Sequence, residues 1–462
     1  MRAKRGAVSR TSKHSRRTIL GALGAAALAA ALSGCSPAAS SDVQVYRDFV
    51  LIDGTGAAPL PDAAMVVTDG RITWVGPATD LQAPAGAEVT SLEGGYVIPG
   101  LIDTHVHLAN VQDMVQNREF FTRESVEREL GVYARYGVTT VQSLGTDSDP
   151  IFEIRAEQRA SGRPNVSRIY TSGRGLVFQG GYGGLAGVNT PVSTVEEVNA
   201  QVDQLAERGV DVVKFWLDDE LGTMPKMPPE ISQAIIDAAH RHNLRAVAHV
   251  FYLEDARRLV DQGIDGLAHS VRDQPVDAAL IAAMREGEVW QMAATLSREA
   301  AIFTYGADAP FLHDHFFTQQ VSPRTIEVLS DPQRQRGIAT GPHFADYQRF
   351  LQTAQQNLVR LRDGGVRYAY GTDAGPPGRF PGFADHWELQ LMVEAGFTPA
   401  QAIESATRHA AEFLGADDLG TLQVSKWADF VVVGSDPLAD VANLRDISRV
   451  YIAGRQVPSI DR

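Results

Sequence analysis

Two histidines separated by one residue, in Asp103-Thr104-His105-Val106-His107, end an apolar run. On a strand, side chains alternate between faces, so His105 and His107 share a side and could share a metal ion. Four further residues of ligand type end apolar runs in the same way. They are Lys214 in VDVVKFWLDD, His249 in RAVAHV, His269 in DGLAHS and Asp373 in RYAYGTDAG. Taken singly, His249 or His269 reads as a satisfied core histidine. An interior lysine is costly unless it is paired or altered. Lys214 therefore reads either as a side chain leaning out to solvent or as an amine that has taken up CO₂. The resulting carbamate resembles a carboxylate and can bridge metals, and desolvation gives the lowered pKa that its formation needs. An unpaired buried Asp373 would also be expensive. It is suited to bind a metal and to take a proton from metal-bound water. As a set, the six fall at the C-terminal ends of strands one, four, five, six and eight, where a barrel enzyme places its chemistry.

The elements that must position them alternate short apolar strands with amphipathic helices across residues 100–415, a pattern of parallel sheet. Strands are expected to end near His107, Leu144, Ser172, Leu217, Val250, Ser270, Leu296 and Asp373. Helices are expected at Thr194–Arg208, Pro229–His242, Glu254–Gln262 and Asp346–Asp363. Eight such units predict an α/β fold, a (β/α)₈ barrel. Two segments after strands stand out as lid candidates, the Gly-rich Gly173–Pro191 and the long, irregular Ser297–Ala345. Residues 43–99 and 416–462 read as short strands with Gly-containing turns, predicting a small β-sandwich built from both ends.

The first 35 residues read as an export signal. Residues 1–17 hold seven basic side chains and no acid, and an apolar stretch, Ile19–Leu32, follows. Ser15-Arg16-Arg17-Thr18-Ile19-Leu20 resembles the twin-arginine motif. Leu32-Ser33-Gly34-Cys35 resembles the lipobox of bacterial lipoproteins, which makes Cys35 the expected lipidated residue and residues 36–42 a tether. The alternative is an uncleaved membrane anchor; in both cases the folded part lies outside the cytoplasm, in the periplasm or at the cell exterior. The twin-arginine route carries folded proteins, so a metal site could be loaded before export. Cys35 is the only cysteine, which excludes an intrachain disulfide and a thiolate metal site in the folded part. Without the leader, 35 basic side chains face 56 acidic ones, a balance of −21 that argues against nucleic acid as partner.

Together these residues resemble the amidohydrolase superfamily. The likeness extends to YVIPGLIDTHVHL before and through the first barrel strand, and to HWELQLMVEAGFTPAQAIESATRHAAEFLG and GTLQVSKWADFVVVGSDPL after the last. It covers nearly all of the chain after the leader. The subgroup it resembles most contains prolidase-like dipeptidases and ochratoxin-type amidases, which use a bridging lysine on the fourth strand. The resemblance implies that His105, His107 and Asp373 hold one metal and that His249 and His269 hold another, with carbamylated Lys214 bridging them. Nitrogen and oxygen ligands suit zinc, with iron, manganese or cobalt as alternatives. Two close metals would lower the pKa of a bridging water, and Asp373 would take its proton and pass it to the leaving amine.

Weaker candidates lie on the loops. Tyr252 and Arg272 are candidate contacts for a substrate carboxylate, against loop packing and an Arg272–Asp273 surface pair, and His343 is a candidate substrate-side lid residue. His313 and His315 read as a solvated loop, His240 and His242 as helix surface, and Trp216 as core. The leading activity is cleavage of a C–N bond in a dipeptide, N-acyl amino acid or related amide. The alternatives are an esterase, lactonase or phosphotriesterase on the same centre, a cyclic-amide hydrolase or deaminase, and a non-catalytic binding lipoprotein. A homo-oligomer is compatible with the sequence, which sets no stoichiometry.

Overall fold

The computed structural model describes residues 42–458. The expected signal, lipidation site and all but the last residue of the tether lie outside the described residues. Among the described residues, no helix is long and apolar enough to cross a membrane.

Seven strands carry the expected parallel pattern: β1 Leu101–Val106, β2 Val138–Ser143, β3 Arg168–Thr171, β4 Val212–Leu217, β5 Arg245–Val250, β6 Gly266–Leu267 and β7 Trp290–Gln291. Ladders join β1 to β2 and β2 to β3, and run in register from β4 through β5 and β6 to β7. The Asp211 N–H donates to the Thr171 carbonyl at 2.9 Å, linking β3 to the start of β4. An eighth segment, residues 367–374, bridges the remaining gap: Tyr368 pairs with Gln291 and Ala374 with Val106. Apolar side chains of β4 and β5 pack on the helices Val195–Glu207, Pro229–Arg241 and Leu253–Asp261 in one buried cluster.

Helix starts follow the local sequence. Thr194 and Glu197 form a reciprocal capping box, and Pro229 occupies the first turn of its helix, where its missing N–H costs nothing. The expected helices agree with the observed ones within a residue or two, the last one beginning at Phe344.

Two expectations are corrected. The seventh strand ends at Gln291, not near Leu296, because Thr295 adopts a left-handed φ of 55° and Leu296 opens the helix Leu296–Thr304. The segment after it is helical rather than irregular, with helices at His315–Thr318, Pro323–Leu329 and Pro332–Ala339. Its own aromatic cluster includes Tyr305, Phe317 and Phe383. The Gly-rich segment holds two short strands, Leu176–Phe178 and Thr190–Val192.

Both ends of the chain meet in one eight-stranded sheet. The strand Tyr96–Pro99 lies between Val43–Leu51 and Phe430–Val433, running antiparallel to the latter. The sheet has its own core, in which Phe430 stacks on Tyr451 with ring centres 4.4 Å apart and Tyr46 meets both edge-on. One glycine, Gly100, separates this sheet from β1. A Cβ there would meet Thr139 Oγ1 at 2.1 Å, so only glycine fits.

Candidate metal centre and active site

Asp103 ties the two ends of the strand series together. Its carboxylate accepts the His105 and Thr372 amides at 2.8 and 3.2 Å and the Thr372 hydroxyl at 2.5 Å. This link sets β1, with its two histidines, against the segment carrying Asp373. Asp373 takes a left-handed φ of 59°, and its amide donates to the His105 carbonyl at 2.7 Å. Two residues on, a Cβ on Gly375 would lie 1.8 Å from the His107 carbonyl oxygen. The backbone of the eighth segment therefore lies directly against that of His107.

The side chains converge. Donor atoms of His105, His107 and Asp373 lie within 4.8 Å of one another, and all three residues are buried. Asp373 Oδ1 is 2.8 Å from His107 Nε2 and 3.5 Å from His105 Nε2. The His269 ring centre is 5.0 Å from that of His105 and 4.1 Å from that of His249. Lys214 is fully buried, its Nζ has no hydrogen-bond partner, and its charge reaches His105, His107 and His269. The six candidates are thus brought to one place, Lys214 from within β4 rather than from its expected C-terminal end.

Each histidine is oriented by a partner on its other nitrogen. His105 Nδ1–H donates to the Ala268 carbonyl at 3.1 Å, since a carbonyl only accepts. His107 Nδ1 meets Thr146 Oγ1 at 2.9 Å, and His269 Nδ1 meets Thr295 Oγ1 at 2.8 Å. His249 is turned the other way, with Nε2–H donating to the Asp218 carboxylate at 2.8 Å. Such partners fix ring orientation and raise ligand basicity. The nitrogens facing the centre are Nε2 of three histidines and Nδ1 of His249.

Burial lowers the pKa of all four histidines, that of His249 to about 4, so each is neutral with a lone pair to give. Burial opposes ionisation of Asp373 too, but the Arg379 guanidinium outweighs it and holds the carboxyl well below its usual range. Burial lowers Lys214 to about 7, so a large part of it is the neutral amine near pH 7. The residues fit a metal centre: neutral imidazoles, a carboxylate, a buried His105 Nε2 with no partner and an unpartnered lysine.

A pocket of about 190 Å³ opens onto this centre, lined by His107, Tyr182, Trp216, His249, Arg298 and Arg379 among others. Arg298 Nε lies 3.1 Å from Asp373 Oδ2, and Arg379 pairs with the same oxygen. Sequence reasoning missed both arginines. Arg298 follows Leu296, which was assigned to a strand, and Arg379 lies in a loop with no periodicity. Trp216, expected in the core, is buried and also lines the pocket, its ring seated against Gly145, Gly175 and Gly183. That seat accounts for several glycines of the Gly-rich segment and its neighbours.

The weaker candidates fare differently. Arg272 is sealed off: its Nε pairs with Glu299 at 3.0 Å and Nη1 donates to the Val250 and Ser270 carbonyls, which leaves it bracing loops rather than facing substrate. The expected Arg272–Asp273 pair is replaced by the Glu299 pair, and Asp273 instead accepts the Leu253 amide at 2.9 Å. Tyr252 donates to Asp219 at 2.7 Å, under Lys226. His343 is exposed and bonded to Asp346 beside the start of its helix. His313 pairs with Asp308 at the surface, and His240 and His242 pair with Asp265 and Asp203.

The model of the amidohydrolase family matches residues 96–457. An imidazolonepropionase of Paracoccus denitrificans (strain Pd 1222) is 27% identical over 392 residues, spanning 82% of this chain and 89% of its own. Among solved structures, A. niger ochratoxinase superposes with a TM-score of 0.71 at 21% identity, over 91% of this chain and 96% of that one. A Xaa-Pro dipeptidase with bound methionine in the active site gives 0.70 at 21% identity, over 90% and 99%. At such identities the two structures speak for the fold.

Proposed function

The chain belongs to the amidohydrolase family, and from that premise we propose that it hydrolyses a C–N bond in a small amide that carries a carboxylate, such as a dipeptide or N-acyl amino acid. The observation that carries the reading is the convergence of His105, His107 and Asp373 on one point beside Lys214 and two arginines. In this reading the eight central segments form a (β/α)₈ barrel and the terminal sheet wraps into a small β-sandwich. The ring of hydrogen bonds from β1 to the segment 367–374 and the separate core around Phe430 support both.

His105, His107 and Asp373 would hold one divalent cation and His249 and His269 a second, zinc being the favoured ion, with Lys214 bridging as its carbamate. Bound metal supplies Lewis-acid polarisation of the carbonyl and a water acidic enough to attack at neutral pH. Asp373 accepts the proton of the attacking water and returns it to the leaving amine. Arg298 and Arg379 exchange their hold on Asp373 for the substrate carboxylate, a role that Tyr252, Arg272 and His343 are not placed to fill. Trp216 and Tyr182 wall the pocket, whose small volume favours a compact substrate.

The test uses residues 36–462 supplied with zinc and bicarbonate, assayed for amine release from dipeptides, N-acyl amino acids and a ring amide. Aryl esters, lactones and a phosphotriester run beside them. Amide cleavage that needs bicarbonate and falls about 10²–10⁴-fold in Asp373→Asn supports the proposal. Turnover of esters or phosphotriesters alone would leave the centre standing and remove the amidase.

Export as a lipoprotein anchored through Cys35 is part of the same proposal, supported by the leader sequence. Cys35→Ser should move the full-length protein from the membrane to the soluble fraction; an unchanged distribution would point to an uncleaved anchor.

A further inference from the structure

A second cavity, of about 800 Å³, opens between the end of the helix Arg123–Arg135, the short helix His315–Thr318 and the terminal strand Ile447–Ile452. None of the residues lining it lines the active-site pocket. Phe316, Ile447 and Val450 give it an apolar wall, and Arg135 and Arg445 bring two guanidiniums to it.

Each of these arginines has an amide as its side-chain hydrogen-bond partner, and the Arg445 guanidinium also lies over the Phe316 ring, 5.6 Å from its centre. Arg135 Nη2 donates to Gln320 Oε1 and Arg445 Nη2 to Gln390 Oε1, both at 2.9 Å. Among the described residues, neither has a carboxylate within ion-pair distance, and the Nε of each is buried without a hydrogen-bond partner. Burial lowers the pKa of both below the usual arginine value. The acid on the cavity rim, Asp314, is committed to the Phe316 amide as a helix cap at 3.0 Å. A third arginine, Arg449, is already held by Glu93 at 2.9 Å. The end of its helix eases the charge on Arg135. Even so, among the described residues neither cation has a paired counter-charge, the carboxylates that act on Arg445, Asp314 and Asp440, lying beyond ion-pair distance, and such half-buried cations favour an added anion.

We propose that this cavity binds an amphipathic monoanion, its carboxylate gripped by Arg135 and Arg445 and its apolar body laid against Phe316, Ile447 and Val450. The guanidinium fork matches a carboxylate in two parallel hydrogen bonds. The volume falls within the range of small-molecule sites, roughly 300–1,000 Å³.

The probe is decanoate below its micellar concentration, titrated calorimetrically into the mature chain. One decanoate per chain should bind, at least tenfold more weakly in Arg135→Gln/Arg445→Gln and unchanged in Asp373→Asn. Inorganic phosphate and decanol, which carry the anion or the apolar body alone, should each bind at least tenfold more weakly than decanoate. The single changes Arg135→Lys and Arg445→Lys keep the charge and lose the fork. They serve if the double variant melts early, and each should weaken binding about threefold or more. Binding that ignores the arginine changes, or that is lost in Asp373→Asn, would overturn the proposal, as would phosphate or decanol matching decanoate. The calorimetric readout needs no turnover, so a failed amide assay leaves this test intact.

Discussion

Asp373 is where backbone and side-chain chemistry meet. A left-handed φ on a non-glycine residue costs on the order of 1–3 kcal/mol and persists only where neighbours enforce it. Here the enforcement comes from the His105 carbonyl, the Thr372–Asp103 bonds and the close approach at Gly375. The distortion brings the carboxylate to both histidines and both arginines. Because Arg298 and Arg379 converge on one oxygen, Arg298→Ala should raise KM for carboxylate-bearing amides tenfold or more. It should change kcat/KM for neutral amides by less than about threefold. Equal losses on both substrate types in steady-state kinetics would make Arg298 a brace for Asp373. The six candidate ligands were legible because apolar runs and their two-residue period are written locally, although Lys214 falls third in the six-residue β4 rather than at its end. Arg298 and Arg379 were not, since nothing nearby in sequence says that residues on two separate loops will meet on one carboxylate.

Among the elements, the helix Leu296–Thr304 decides where Arg298 points. Its first amides, Leu296 and Ser297, donate at 2.9 and 2.6 Å to Glu388, a buried carboxylate on the helix Phe383–Ala395. Glu388 thus anchors a helix start whose preceding residue, Thr295, gives no side-chain cap and holds His269 instead. Removing both acceptors with Glu388→Ala should cost about 1–3 kcal/mol, read from denaturant melts. Burial pushes the Glu388 pKa from 4.5 up to about 8. Across that window the folded chain holds a proton that the unfolded chain has released. Stability contributed by this group is therefore lost as pH rises from about 4.5 to about 8. Glu388→Gln should flatten that part of the stability–pH curve; an unchanged slope would assign it elsewhere. The sequence mis-set this boundary for a physical reason: Met292–Leu296 is apolar enough to continue a strand, and the turn is imposed by a tertiary contact.

For the whole molecule, alternation of strand and helix announced the central α/β region, and the β-rich ends announced a sheet. Neither pattern could reveal the single glycine between them. The strand Tyr96–Pro99, paired with Phe430–Val433, passes through Gly100 straight into β1. The Gly100 amide itself donates to the Asp429 carbonyl at 2.9 Å. The strand Phe430–Val433 is thus one residue away from the ladder that carries His105 and His107. Structure opens in cooperative units, and segments that share a strand open together. Amide hydrogen exchange at residues 101–107 should therefore keep pace with exchange at residues 430–433. A charge buried in the strand Phe430–Val433, Val432→Asp, should speed both in parallel while residues 245–250 of β5 lag behind. A protease or a mutation that loosens the strand Phe430–Val433 would then silence a catalytic centre built almost entirely from the middle of the chain.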